Sequence, residues 1–366
     1  MRRFTISTWV IHLVQGVRLS DFNPLSPNSA ATIRDVARLA GVSVGTVSKA
    51  LNDQGQLRPE TRAKIMAAST HLGYQPNDLL LSMRRGRSFT IGLISTDSYG
   101  RFSMPLVEGI EDALGAAQFN VFLCNAADNS ERERQHVQSL LSKRVDGIIV
   151  TSRRTDPRPP IALGGARIPV LYAYAQVGGG DAPCLLPDDE GGGHLAIEHL
   201  LKLGHTSIAH VTGPERFLAV RERTQGAMIA MNARGLELPV LHGPWSEAWG
   251  HESWEHLQAC GVSAVFCGND QIARGLIDRL RERGVQVPGD MAVVGFDNWE
   301  VIAAATRPPL TTIDMNLHEL GRQAGIRLLG AINGQSALPS TTERLPCRLV
   351  VRESCGVSSE EVPISG

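Results

Sequence analysis

Residues 31–88 read ATIRDVARLAGVSVGTVSKALNDQGQLRPETRAKIMAASTHLGYQPNDLLLSMRRGRS, and this stretch decides the reading of the whole chain. Thr32 with Asp35 three residues on is the pattern of a capped helix start. Val36, Ala37 and Ala40 then recur at helical spacing. Gly41 stands where that helix must stop, in a position that favours the left-handed backbone. Ser43 is placed to cap a second helix. On that helix Val47 and Leu51 face inward with Val42, which leaves Val44, Gly45, Thr46, Ser48 and Lys49 facing outward. Pro59 suits the first turn of a third helix, which Ile65 and Leu72 stripe and Gly73 ends. Two short helices around a sharp turn make a helix-turn-helix, whose second helix is built to enter a DNA groove. Small and hydroxyl side chains on its outer face match phosphate and base-edge contacts.

The segment Gly41-Val42-Ser43-Val44-Gly45 also fits the G-x-S-x-G nucleophile pattern. That elbow requires a strand before the serine, and here a helix precedes it. No metal set, nucleophile–base pair or dinucleotide loop emerges elsewhere, so neither catalysis nor a cofactor is expected. The glycine clusters 178–180 and 191–193 are expected to be loop and helix-start glycines.

The chain has 366 residues, enough for two or three domains, and a net charge of −1. That charge is unevenly spread. Residues 31–88 hold nine Lys/Arg against four Asp/Glu, and residues 89–366 hold 24 against 32. A basic module on an acidic body fits a nucleic-acid binder with a separate regulatory part. The six cysteines show no C-x-x-C pair and no zinc spacing, and are read as reduced, mostly buried thiols of a cytoplasmic protein. No run approaches the length of a membrane span.

From Phe89 onward, short apolar runs alternate with amphipathic stretches. Residues 90–95, 121–124, 147–150 and 170–174 read as strands, with helices at 106–117 and 135–144. A second series has strands at 207–212, 264–267 and 291–296 and helices at 193–203, 220–234 and 271–283. Such alternation means βαβ units around parallel sheets, and two series mean two lobes. Ligands of open α/β sheets bind beyond the carboxyl ends of the strands, so facing lobes make a cleft there.

The residues of 31–88 resemble the DNA-binding headpiece of the lactose/galactose repressor (LacI/GalR) family. The likeness continues to about Ser354, through HLLKLGH at 199–205, Val211-Thr212-Gly213-Pro214, Cys267-Gly268-Asn269-Asp270, Val293-Val294-Gly295-Phe296-Asp297 and Pro309-Leu310-Thr311-Thr312-Ile313. The resemblance implies an all-α helix-turn-helix headpiece plus an α/β periplasmic-binding-protein-like type I core of two doubly wound lobes. Its parts would be a helix-turn-helix domain at 31–75, a hinge at 76–88, a two-lobed effector-binding and dimerisation domain at 89–355 and a tail at 356–366. Three crossings between lobes are expected near 186–189, 312–316 and 347–350. Family members begin close to Thr32, so residues 1–30 are expected to be a disordered, dispensable extension or the product of an upstream start.

The implied function is a cytoplasmic homodimeric transcriptional regulator, a repressor of double-stranded operator DNA controlled by a small sugar-like effector. The DNA-facing set would be Thr32, Ser43, Val44, Gly45, Thr46, Ser48, Lys49 and Asn52. From the hinge, Arg84, Arg85 and Arg87 would anchor phosphates, and Met83 would be the minor-groove wedge where the family uses leucine. Arg223, Trp245, Asn269 and Asp297 match effector-contacting positions, with Tyr99, Phe102 and Tyr174 facing them from the other lobe. Asp, Asn and Arg bond hydroxyls and an indole suits the C–H face of a sugar. Asp270 reads better as a helix cap, and Trp249 and Trp299 as packing residues. Two alternatives stay open: a sugar receptor without DNA function, and a purine-responsive repressor.

Overall fold

The computed structural model describes residues 31–51, 55–74, 87–97, 100–179 and 181–356. They fall into two compact units divided between Gly86 and Arg87. The first holds three helices, α1 (Ile33–Ala40), α2 (Val44–Leu51) and α3 (Pro59–His71). The capping pair forms: the Thr32 hydroxyl and amide both donate to Asp35 Oδ2, at 2.6 and 3.0 Å. These bonds hold the Asp35 carboxyl below its ordinary range. Gly41 ends α1 at φ 64, and Ser43 Oγ accepts the Thr46 amide at 3.1 Å. Val36, Ala37, Ala40, Val47 and Ile65 form the core as their spacing predicts, joined by Ala50 and Ala68.

The second unit is the two-lobed body. Its strands are β1 (Thr90–Ser95), β2 (Asn120–Asn125), β3 (Gly147–Thr151), β4 (Pro157–Arg158), β5 (Val170–Ala173), β6 (Gln176–Val177), β7 (Cys184–Pro187), β8 (Ile208–Thr212), β9 (Val240–His242), β10 (Ala264–Cys267), β11 (Ala292–Phe296), β12 (Thr311–Asp314), β13 (Thr342–Leu345) and β14 (Arg348–Val350). Its helices are α4 (Ser103–Gly115), α5 (Ser130–Ser142), α6 (Asp189–Lys202), α7 (Leu218–Asn232), α8 (Glu247–Cys260), α9 (Asp270–Glu282), α10 (Glu300–Ala303) and α11 (Leu317–Ile332). One sheet runs β13-β7-β5-β3-β1-β2 and the other β14-β12-β11-β10-β8-β9. The lobe around the first is called the N-lobe, and that around the second the C-lobe.

Every expected strand and helix of the body is present within a few residues. Ten elements were not anticipated: the helices α8, α10 and α11, and the strands β4, β6, β7, β9, β12, β13 and β14. The expectation of wholly parallel sheets needs one correction, because β14 pairs with β12 antiparallel. Only two residues separate Leu345 from Arg348, so the chain reaches the second sheet without room for a crossover helix. The three passages between lobes lie at β7–α6, β12–α11 and β13–β14, at or beside the expected places.

Three helix pairs carry the lobes: α4 with α11, α6 with α7, and α8 with α9. In each pair both helices present a glycine at the contact. A Cβ on Gly109 would collide with the carbonyl of His318, and one on Gly321 with that of Leu106. Gly193 lies against the Arg223 carbonyl and Gly226 against that of Glu190. Gly250 meets Ile272 and Gly275 meets Glu247 in the same way. The reading of 191–193 as helix-start glycines holds, and two of them are also packing contacts, Gly192 against Phe296 and Gly193 against Arg223. Gly226→Ala is expected to lower stability by about 1–3 kcal/mol through overpacking. Gly115→Ala, where a Cβ would meet nothing, is expected to be neutral or stabilising. Thermal unfolding of the two variants distinguishes them.

His210 on β8 is fully buried, stacked on Phe266 with ring centroids 4.4 Å apart, and its Nδ1 lies 3.0 Å from the Phe266 carbonyl. Burial pushes its pKa down to about 3. Below pH 6.5 the unfolded chain binds a proton here that the folded chain refuses, so this site favours unfolding as pH falls. Its contribution should decline by about 1.4 kcal/mol per pH unit between pH 6 and 4. Urea unfolding of wild type and His210→Phe across that range should show a flatter pH dependence in the variant.

Candidate functional site

The outer face of α2 is assembled from Val44, Gly45 and Lys49, all exposed, with Thr46 and Ser48 half-buried beside them. Val44 is a large apolar side chain left 41% accessible. Ser43 and Thr46 share a hydroxyl contact at 2.8 Å, so their side chains also hold the helix start. Thr32 sits exposed at the other end of the motif. Asn52, Met83, Arg84 and Arg85 lie outside the described residues, as does Tyr99. The pattern that resembled a nucleophile elbow is the turn itself: Gly41 ends one helix and Ser43 caps the next.

Between the lobes lies a cleft of ≈ 650 Å³. The segments after β1, β3 and β5 line one side, and those after β8, β9, β10 and β11 the other. Phe102 and Tyr174 stack in it at 5.2 Å. Burial, with the carboxylates of Asp297 and Asp189 nearby, raises the Tyr174 phenol so that it stays protonated. Trp245 lies against Gly213, where a Cβ would clash with its indole. Trp249 is a packing residue, as expected: its indole N–H donates to the Thr212 carbonyl at 3.1 Å. Trp299 corrects the sequence reading. It lines the cleft, with the Arg101 guanidinium 5.2 Å from its ring.

Asp270 is also corrected. The cap of α9 is Asn269, whose side chain accepts the Ile272 amide at 2.8 Å. Asp270 is instead a buried brace, accepting from Thr312 Oγ1 at 2.6 Å and the Trp299 amide at 2.7 Å. Burial, with Asp297 close by, pushes its pKa up to about 8. Capping uses only the oxygen of Asn269. Its Nδ2 is buried, has no hydrogen-bond partner among the described residues and belongs to a residue lining the cleft.

Arg223 stands at the centre. Its Nε donates to Asp189 Oδ1 at 2.7 Å, and its Nη1 to the Gly268 carbonyl at 2.6 Å and to Asp297 Oδ1 at 3.4 Å. The guanidinium carbon lies 3.6 Å from the Phe296 ring centroid. Asp297 also faces Arg101 from the opposite lobe at 3.1 Å, and Arg101 reaches Gln271 Oε1 at 3.3 Å. Asp189 and Arg101 were absent from the effector-contacting residues expected from sequence, and Trp299 had been read as packing. Asp189 carried one signal, an acid at a helix start, which reads equally well as dipole compensation.

Comparison with known proteins shows the family. Residues 32–77 match the model for bacterial regulatory proteins of the lacI family, and residues 197–355 that for a periplasmic binding protein-like domain. The ribose operon repressor of Escherichia coli is 34% identical over 300 residues, covering 80% of this chain and 91% of that protein. The transcriptional repressor PurR of Vibrio vulnificus is 34% identical over 335 residues, covering 88% and 98%. The chain belongs to the LacI family of bacterial regulatory proteins. A crystal structure of the lac repressor dimer bound to operator and the anti-inducer ONPF superposes with a TM-score of 0.75 at 28% identity, covering 89% of this chain and 99% of that one. This LacI-family member is thus a DNA-binding transcriptional regulator with a periplasmic-binding-protein-like core. No helix among its described residues is long and apolar enough to cross a membrane.

In this LacI-family regulator the Arg223–Asp189 pair is almost wholly removed from water, at 4% and 1% side-chain exposure. Removing one partner of such a pair strands the other charge. Asp189→Ala is expected to cost about 3–5 kcal/mol, read as a lower urea midpoint at unchanged slope.

Proposed function

We propose that this regulator is a cytoplasmic, homodimeric repressor that acts without catalysis. Its operator affinity is set by a small polyhydroxylated effector held between the lobes. The observation that carries the effector reading is the chemistry of the cleft. Aromatic faces from Phe102, Tyr174, Trp245 and Trp299 surround unspent polar atoms, of which buried Asn269 Nδ2 is the clearest. Flat apolar faces with a few convergent polar groups suit a sugar ring. Asp297 would accept from its hydroxyls. Arg223, largely occupied by protein acceptors, would act by holding Asp297 and the Gly268 carbonyl in place. On DNA, Val44, Gly45 and Lys49 would set base preference, with Thr32, Ser43, Thr46, Ser48 and Asn52 placing the motif. Met83, Arg84 and Arg85 would work from the hinge at 76–88, and residues 1–30 would be dispensable.

A purine is the second reading, favoured by the Phe102–Tyr174 stack, against which a flat base could lie. Calorimetry with sugars and purines in parallel separates the two. Asp297→Ala should weaken sugar binding by about 1–3 kcal/mol through an unpaired buried hydroxyl. Wild-type affinity in both Asp297→Ala and Trp245→Ala would remove the effector from this cleft. On DNA, Lys49→Ala should lose about 1–3 kcal/mol on the cognate operator if it reads a base, and equally on all sequences if it touches phosphate.

A further inference from the structure

The mouth of the cleft carries more arginines than carboxylates. Arg153 and Arg154 follow β3 in the N-lobe, and Arg216 follows β8 in the C-lobe. The guanidiniums of Arg154 and Arg216 lie 5.3 and 4.6 Å from the ring centroid of Phe217, so one aromatic ring fixes a cation from each lobe. Neither Arg153 nor Arg216 has a carboxylate partner among the described residues, and Arg154 reaches Asp156 only at 3.7 Å. The nearby acids are spent on the protein. Asp156 Oδ1 accepts the Leu218 amide at 2.8 Å. Asp97 accepts from the Gly100 amide and the Ser103 hydroxyl at 3.2 and 2.9 Å.

Two further features point the same way. Thr155, only 3% exposed, lines the cleft between Arg154 and Asp156, and its buried hydroxyl has no hydrogen-bond partner among the described residues. Asp156 takes only the Leu218 amide at the start of helix α7, and the next first-turn residue, Ala219, lines the same space. First-turn amides have no acceptor within their own helix and carry the positive end of its dipole. Guanidinium forks, a free hydroxyl and a helix N-terminus together form the donor set that oxyanions take.

We propose that this mouth binds the oxyanion of the effector, so that the regulator responds to a phosphorylated or carboxylated sugar derivative rather than to its neutral parent. The proposal rests on the reading of the cleft as the effector site and adds the charged end of the ligand. Because Arg153 and Arg154 come from one lobe and Arg216 from the other, the anion would bridge the lobes.

The test uses the full-length chain at fixed ionic strength. Inorganic phosphate, glucose 6-phosphate, gluconate and glucose are titrated, with arginine Nε–Hε NMR shifts and melting temperature as readouts. Expected are saturable shifts at Arg153, Arg154 and Arg216 for at least one anion, and at least tenfold weaker binding in an Arg154→Gln/Arg216→Gln variant. Stronger binding of glucose 6-phosphate than of gluconate assigns phosphate as the anion, and the reverse order assigns carboxylate. No saturable response to any of the three anions overturns the proposal, and so does a response undiminished in the double variant. Trp245→Ala tests the parent reading separately. Glucose and glucose 6-phosphate bound equally, and both through Trp245, would keep the effector cleft and sink the anion site. Anion binding lost in the arginine variant but untouched by Trp245→Ala would do the opposite.

Discussion

The cleft depends on one buried cation. Arg223 leaves α7 and holds, at once, a carboxylate at the start of α6, the carbonyl that follows β10 and the carboxylate that follows β11. Asp189 and Asp297 together hold the guanidinium charged against the burial that opposes it. An arginine serves here where a lysine would not, because a planar fork reaches several acceptors in fixed directions while its face rests on Phe296. With this strut in place, Asn269 and Asp297 face the cleft at defined positions. Asp297 adopts φ 102, a conformation that non-glycine residues rarely hold without surrounding constraint.

Around that centre the lobes are kept rigid by close helix contacts. Six glycines, one on each helix of three pairs, let backbones touch where any side chain would separate them. Closely packed lobes joined by three chain crossings would move against each other as units. In the structure the lobes already touch across the cleft. Arg101 reaches Asp297 and Gln271, and Asp156 caps the Leu218 amide. A ligand entering the cleft competes with or completes these polar contacts, and only such differential interaction can shift a conformational balance.

Much of this was legible in the sequence. The helix-turn-helix rests on local rules: a capping pair at Thr32 and Asp35, a left-handed glycine at 41, a serine cap at 43 and apolar spacing of three and four. Each is satisfied by atoms a few residues apart, so the chain order alone reveals it. The alternation of strands and helices is legible for the same reason, and it places the cleft at the carboxyl ends of the strands. The family resemblance marked Arg223, Trp245, Asn269 and Asp297, which the structure does bring to one cleft.

What the sequence left undecided depends on partners distant along the chain. Asp270 and Asn269 are adjacent acid and amide at a helix start, and either could cap it; the choice follows from Thr312 and the Trp299 amide, which claim Asp270 for the interior. Trp299 and Trp249 look alike as isolated indoles. One packs because the Thr212 carbonyl takes its N–H, and the other lines the cleft because Arg101 arrives from the opposite lobe. The short strands β13 and β14 carry too few residues for a periodicity to show, and they exist because sheet edges in two lobes accept them. Local stereochemistry, written in neighbouring residues, determined the elements and their order. The roles of the charged and aromatic side chains were decided by long-range packing, since a buried charge takes its character from whichever groups the fold sets against it.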